Sequence, residues 1–134
     1  MFISHSYKDC ENLLDLKTFL NASKLHVYLD WVCDREALGR DLTNKDTAEV
    51  ILRRLEQSES LLYVYTPSCS LSQWAPWELG YFQAFHRPIF VYIPEEEGNV
   101  QKPPYLDLYP RVYLKDGKLG IDKEGGFIPL ALAI

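Results

Sequence analysis

The sequence predicts a single α/β domain in which helices cover both faces of a parallel sheet. Short apolar segments alternate along the chain with segments whose leucines recur at helical spacing, as is typical of such a fold. The central apolar segment, Leu61 to Tyr65, has no polar face, as expected of a strand buried on both sides. The chain has 134 residues, of which 47% are hydrophobic and 25% charged. We therefore expect residues 1–134 to form one domain, whose native limits can extend beyond either end.

Five segments are predicted to be strands because they are short, apolar and bounded by polar or turn-forming residues. In chain order they are Phe2–Ser4, Leu25–Leu29, Leu61–Tyr65, Pro88–Ile93 and the weaker Arg111–Leu114. The stretch from Pro94 to Pro104 is rich in proline and glutamate and is predicted to be a surface loop between the last two strands.

Three helices are predicted between these strands. The first follows Asp9 as its N-cap, and the second follows Thr43, which begins an approximate capping box. Apolar residues recur at helical spacing in both helices, at Leu13, Leu16 and Leu20 and at Ala48, Ile51, Leu52 and Leu55. The third begins near Pro76, which a first turn tolerates because its missing N–H would have no partner there, and runs to about His86. Gly80, in the middle of that helix, is a candidate for close approach of a strand or a ligand.

Composition narrows the classes of function. The formal net charge of −5, without a cluster of lysine and arginine, argues against a nucleic-acid partner, whose binding depends on neutralising phosphates. No apolar run approaches the roughly 20 residues that span a bilayer, and the start resembles no secretion signal. We therefore expect a cytoplasmic protein without a membrane partner. Three cysteines without a Cys-x-x-Cys pair, and the lack of paired histidines, indicate neither disulfides nor a metal site.

The predicted site lies beyond the carboxyl ends of the strands, where ligands bind in doubly wound sheets. Three polar segments follow strands and could meet in one crevice there: Ser4–Asp9, Asp30–Arg40 and Thr66–Glu78. Trp74 and Glu78 are four residues apart, which places them on one face of the third helix. Taken alone this pair is weak evidence, because the helix dipole favours a glutamate in a first turn and a tryptophan there is commonly a packing residue.

Two segments give the pair more weight: Phe2-Ile3-Ser4-His5-Ser6-Tyr7-Lys8-Asp9 and Ser72-Gln73-Trp74-Ala75-Pro76-Trp77-Glu78-Leu79-Gly80-Tyr81-Phe82. They resemble the Toll/interleukin-1 receptor (TIR) family, and in particular the bacterial TIR-like proteins of Thoeris-type antiphage systems. The resemblance covers Phe2 to about Ile93. It implies a flavodoxin-like, doubly wound, five-stranded parallel sheet and an enzyme that cleaves NAD to nicotinamide and ADP-ribose or a cyclic isomer. Glu78 matches the catalytic glutamate of that family.

One carboxylate is enough for this reaction. Nicotinamide leaves the positively charged pyridinium form of NAD as a neutral molecule, so its departure requires no general acid, unlike the sugar leaving groups of glycosidases. Glu78 would hold the ribose hydroxyls and stabilise the oxocarbenium-like charge that develops at the anomeric carbon. We expect NAD to be the substrate, with no separate cofactor.

The remaining residues of the predicted site are expected to bind NAD. They are Ser4, His5, Ser6, Tyr7, Lys8, Trp31, Arg35, Arg40 and Trp74. Trp74, ahead of Tyr7 and Trp31, is expected to stack on a ring of the dinucleotide, and the basic residues are expected to neutralise its pyrophosphate. The chain has no Gly-x-Gly-x-x-Gly turn and no P-loop, which disfavours hydride transfer and NTP hydrolysis.

The sequence therefore predicts a NAD hydrolase or ADP-ribosyl cyclase that produces a nucleotide signal in antiphage immunity. The resemblance implies two further partners: other copies of the chain, contacted through the loop from Tyr28 to Leu42, and a separate effector that responds to the product. Two alternatives stay open. One is a TIR interaction module without catalysis, and the other is a nucleoside deoxyribosyltransferase, which has a related fold and also uses a glutamate near an anomeric carbon.

Overall fold

The computed structural model describes residues 1–5, 45–66, 75–93, 103–116 and 118–133. The strands in these ranges are β1 (Phe2–Ser4), β2 (Leu61–Val64), β3 (Ile89–Tyr92), β4 (Arg111–Lys115), β5 (Lys118–Lys123) and β6 (Gly126–Pro129). The α-helices are α1 (Lys45–Gln57), α2 (Ala75–Gln83) and α3 (Leu130–Ala133), and a 3₁₀ helix spans Pro104–Leu108. No helix within these ranges is long and apolar enough to cross a membrane.

The six strands of the described ranges form one sheet in the order β1-β2-β3-β4-β5-β6. Strands β1 to β4 are parallel, whereas β5 is antiparallel to both β4 and β6. The predicted α/β fold with a parallel sheet is thus confirmed through β4, and these four strands lie close to their predicted bounds. The predicted strand Leu25–Leu29 and the first predicted helix lie outside the described residues.

Strands β5 and β6 add an antiparallel extension that the apolar pattern does not predict. Charged and exposed residues at the ends of β5 obscure its buried centre, which consists of Leu119, Gly120 and Ile121. Residues with positive φ form the turns: Asp116 (52°) follows β4, and Gly125 (101°) lies between β5 and β6. The Asp-Gly dipeptide at positions 116 and 117 is a strong hairpin signal, and it could have revealed the first turn. The sheet is therefore mixed, and its parallel half carries the predicted site.

Helices contact both faces of the sheet. Because side chains alternate along a strand, Leu61 and Tyr63 pack in the cluster formed with α1 and α2. Leu62 and Val64 belong to a second buried cluster, to which α3 contributes Leu130. Both faces of β2 are therefore shielded from water, which explains its uninterrupted apolar sequence.

Side chains from outside α1 fix its carboxyl end. The Ser58 hydroxyl donates to the Arg54 carbonyl oxygen at 2.7 Å, and Arg87 Nη1 donates to the carbonyl oxygens of Glu56 and Ser58 at 2.7 and 2.8 Å. Such bonds satisfy carbonyl groups that a helix leaves without an internal partner at its end. The Tyr81 hydroxyl of α2 donates to Glu56 Oε1 at 2.9 Å, and this bond is the main cause of the raised pKa of Tyr81. The two helices are thereby held side by side.

Helix α2 ends at Gln83, earlier than the predicted end near His86. The amides of Ala84, Phe85 and His86 each bond to the carbonyl oxygen three residues earlier, so the chain tightens into a 3₁₀-type turn. His86 then adopts a φ of 56°, in the left-handed region, which cannot continue a right-handed helix. The turn leads the chain directly into β3.

Substitution of Gly120 tests the pairing of β5 with β6. A Cβ at this position would collide with the Ile128 carbonyl oxygen and would lie 2.5 Å from Cζ of Phe127. We expect Gly120→Ala to lower the free energy of unfolding, measured by urea denaturation, by about 1–3 kcal/mol, because a backbone atom cannot move aside as a side chain can.

Gly80→Ala is the matched control. Gly80 is exposed, and no atom of another described segment lies within 4 Å of a Cβ placed there, so the close approach of a strand is not found among the described residues. Alanine is favoured over glycine in a helix interior by up to about 1 kcal/mol, so this variant should be more stable than the wild type. A Gly120→Ala protein as stable as the wild type would contradict the described packing of β6 on β5.

Candidate active site

Glu78 lies on the buried face of α2. The buried residues of this helix are Ala75, Glu78, Leu79 and Phe82, which follow the i, i+3, i+4, i+7 pattern of a helix packed on a sheet. Apolar residues normally fill such positions, but one of them here is a glutamate that is 0% exposed. Glu78 lies in the first turn of this helix, as the sequence predicts. The packing of α2 on β1 and β2 buries it.

Ser4 contacts Glu78 from the sheet. The pleat of β1 directs Phe2 and Ser4 to the same face, and Phe2 packs in the cluster that contains the buried side chains of α2. Ser4 Oγ lies 3.4 Å from Glu78 Oε1 and 3.4 Å from the Ala75 carbonyl oxygen, and its single proton can be donated to either acceptor. Because Ser4 is the last residue of β1, this contact lies at the carboxyl end of the parallel strands, where ligands bind in such sheets.

Two features of the surroundings of Glu78 offset part of the cost of burying its negative charge. Removing a carboxylate from water costs free energy unless donors and dipoles replace the lost solvation. The Ser4 hydroxyl is one such donor, and the amino end of α2 contributes a dipole that favours negative charge in the first turn. A carboxylate so far from solvent acts through a low effective dielectric constant. It can therefore stabilise a positive charge that forms close to it.

His5 and Thr66 are further buried polar residues that follow β1 and β2 at the same edge of the sheet. His5 Nδ1 lies 3.0 Å from the Ile3 carbonyl oxygen, and because a carbonyl only accepts, Nδ1 carries the proton of this bond. In a neutral ring, Nε2 is then the acceptor. The contact of His5 with NAD stays a prediction. Thr66 falls within the predicted segment after β2, where no signal separates it from the other hydroxyl residues.

Three of the predicted site residues, Ser4, His5 and Glu78, lie in the described ranges, and Ser4 and Glu78 are in contact. The others lie outside the described residues and stay predictions: Ser6, Tyr7, Lys8, Trp31, Arg35, Arg40 and Trp74. Trp77, also in the second motif, is 37% exposed and lies off the buried stripe of α2, with its ring 6.2 Å from the Tyr81 ring.

These features define a class of protein: an α/β domain with a buried carboxylate at the carboxyl ends of parallel strands. No protein-family model matches the chain. It is 33% identical to "Probable 3' cyclic ADP-D-ribose synthase ThsB'" of Bacillus cereus (strain MSX-D12). The aligned region of 117 residues covers 84% of this chain and 59% of that relative. It is also 33% identical to "Putative cyclic ADP-D-ribose synthase TIR2" of Cytobacillus dafuensis. Here the aligned region of 90 residues covers 67% of this chain and 24% of that relative.

The similarity to these two relatives confirms the resemblance to bacterial TIR proteins of the Thoeris type that the sequence shows. The chain matches only part of the length of each relative.

Replacement of Glu78 by leucine is expected to stabilise the fold. Leucine completes the apolar stripe of α2 and removes the cost of burying a charge, while the Ser4 hydroxyl still has the Ala75 carbonyl oxygen as an acceptor. We expect the free energy of unfolding, measured by urea denaturation, to rise by about 1–2 kcal/mol.

Glu49→Leu, at an exposed position of α1, is the control for this substitution. It should change the free energy of unfolding by no more than about 0.5 kcal/mol, as surface substitutions usually do. If Glu78→Leu instead lowered the free energy of unfolding by several kcal/mol, the Glu78 carboxylate would be needed to stabilise the fold. Its interpretation as a functional group would then lose its main support.

Proposed function

We propose that this chain cleaves the bond between nicotinamide and ribose in NAD and closes the remaining ADP-ribose into a cyclic nucleotide. The observation that carries the proposal is the Glu78 carboxylate, which is buried at a position where packing alone would favour an apolar side chain. Glutamate is almost never fully buried without a specific partner or a specific use. A domain that served only as a binding module would have no need for it there.

The reaction requires one negative charge close to the ribose. The carbon–nitrogen bond breaks with its electron pair on nitrogen, so the cationic pyridinium becomes neutral nicotinamide and positive charge moves to the ribose ring. Glu78 stabilises this oxocarbenium-like charge and accepts hydrogen bonds from ribose hydroxyls. Since the leaving group is neutral, neither a general acid nor a second carboxylate is required.

The names of the relatives favour a cyclic product. Both are named cyclic ADP-D-ribose synthases, and the first name specifies a 3' cyclic form. Cyclisation requires that a nucleophile of the same molecule reach the anomeric carbon before water does. The burial of Glu78 favours this outcome, because a site that excludes water suppresses hydrolysis of a reactive intermediate. Linear ADP-ribose is the competing product.

The predicted binding residues complete the proposed site. Trp74 stacks on a ring of NAD, with Tyr7 and Trp31 as further aromatic contacts. The basic side chains neutralise the pyrophosphate, and the remaining polar residues line the pocket. These basic and polar residues are Lys8, Arg35, Arg40, His5 and Ser6.

The proposal includes the partners implied by the family. Copies of the chain associate through the loop from Tyr28 to Leu42, and the product is a signal to a separate effector in antiphage defence. A cytoplasmic location belongs to the same proposal, because the three cysteines form no pattern of the kind seen in disulfide-stabilised secreted domains. A rate per molecule that rises with protein concentration would support self-association.

The proposal is tested with purified protein at high concentration and in crowded solution. Incubation with NAD should release nicotinamide together with an equal amount of a product that is one water lighter than ADP-ribose, identified by liquid chromatography and mass spectrometry. Glu78→Gln keeps the shape of the side chain and removes its charge. We expect it to lower the rate by about 10²- to 10³-fold, as the loss of one preorganised electrostatic group does.

Glu49→Gln, at an exposed position of α1, removes the same charge from the surface and should keep the wild-type rate. Full activity of Glu78→Gln would refute the role of this carboxylate. Base exchange between nucleosides would favour the deoxyribosyltransferase, and a lack of nicotinamide release in every condition would favour the interaction module without catalysis.

A further inference from the structure

The Ser4 hydroxyl faces two oxygen acceptors inside the protein. Its Oγ lies 3.4 Å from Glu78 Oε1 and 3.4 Å from the Ala75 carbonyl oxygen, and Ser4 is 0% exposed. A hydroxyl has one proton to donate, so it can serve only one of these acceptors fully at a time. Both distances exceed the about 2.7–2.8 Å of a well-formed O–H···O bond, as catalytic hydrogen bonds often do before a substrate binds.

The backbone brings both acceptors to the same hydroxyl. Ser4 is held in the sheet by its pairing with Tyr63 of β2. Ala75 and Glu78 are three residues apart on α2, so the carbonyl and the carboxylate lie on the same side of that helix. This arrangement depends on the packing of α2 against β1 rather than on a flexible loop.

The two acceptors differ in strength. The Ala75 carbonyl is neutral, whereas an ionised carboxylate forms shorter and stronger hydrogen bonds. The Ser4 proton is therefore drawn to Glu78 when the carboxylate is charged, and the Ala75 carbonyl accepts it when the carboxylate is protonated. The hydroxyl thus has a partner in both states, and the bond to Glu78 favours the charged one.

We propose that Ser4 is a positioning residue whose hydroxyl holds Oε1 of Glu78 against β1 and so directs the carboxylate toward the ribose of NAD. The inference rests on the proposed function, and it changes the predicted role of Ser4 from a contact with NAD to a contact with the catalytic carboxylate. A carboxylate has about four lone-pair positions, so its bond to Ser4 leaves capacity for the substrate hydroxyls.

Ser4→Ala removes the donor and leaves both acceptors in place. We expect kcat for nicotinamide release to fall about tenfold, because a hydrogen bond to a charged group is lost, while KM changes by less than about twofold. The acidic limb of the pH–rate profile should move to higher pH by about one unit, since the ionised carboxylate is less well stabilised. Ser4→Thr, which keeps a hydroxyl in the strand, should recover most of kcat and the wild-type pH profile.

Ser58→Ala is the matched control. Ser58 is also a buried serine, 1% exposed, whose hydroxyl donates to a backbone carbonyl, but it precedes the amino end of β2. Its loss should lower stability and leave kcat and the acidic limb unchanged. Wild type and Glu78→Gln, measured in the same series, separate the two proposals. If the wild type releases nicotinamide and Glu78→Gln does not, the proposed function is upheld, whatever the result for Ser4→Ala.

A second measurement needs no catalysis. Titration of ¹³C-labelled glutamate carboxyl groups by NMR, with Glu78 assigned by its absence from Glu78→Gln, follows the ionisation of this side chain directly. In Ser4→Ala its midpoint should move to higher pH, and in Ser58→Ala it should not. An unchanged midpoint in Ser4→Ala would overturn the inference. So would a raised KM with an unchanged kcat, which would return Ser4 to a role in binding NAD.

Discussion

The burial of the parallel strands on both faces is the constraint on which the rest of the structure depends. Leu61 and Tyr63 face the cluster that includes α1 and α2, and Leu62 and Val64 face the cluster on the other side, so the middle of β2 has no room for a charged side chain. The buried polar residues of the described ranges are Ser4, His5, Ser58, Ser60, Thr66 and Glu78. Those in the sheet layer lie at or beyond strand ends, so polar chemistry is confined to its edges.

Helix α2 is destabilised by the one charged side chain on its buried face. Glu78 occupies one of the core positions that the helix shares with Leu79 and Phe82, and a buried charge weakens packing unless donors compensate it. The helix is held in place by other means, namely the Tyr81 hydroxyl on Glu56 and the turn that leads into Arg87. A firmly packed helix can keep a carboxylate inside, where a loosely packed one would turn it to solvent. Under the proposed function, stability and activity therefore compete at this position.

The apolar pattern predicts the strands that are buried on both faces and the helices with one apolar stripe, and it does not predict elements whose buried residues alternate with charged ones. Strands β1, β2 and β3 are recognisable because burial on both faces requires uninterrupted apolar sequence, and α1 is recognisable from its stripe. The apolar pattern does not predict strand β5, because its buried Leu119 and Ile121 stand among charged residues. The spacing within α2 is compatible with an exposed or a buried Glu78, and its contact with Ser4, 74 residues away in the chain, decides between them. Such contacts depend on the register between elements, which local sequence does not encode.

The complete enclosure of Glu78 has a consequence for how the proposed reaction would be controlled. A reactant can touch only atoms that a solute can reach, and this side chain offers none in the conformation described. For the proposed reaction, the ribose can touch Glu78 only when the atoms that cover this side chain move aside, so the rate would scale with the fraction of molecules in an uncovered arrangement. Under the proposed function, any contact that favours the uncovered arrangement would raise the rate of NAD cleavage without altering a reacting group.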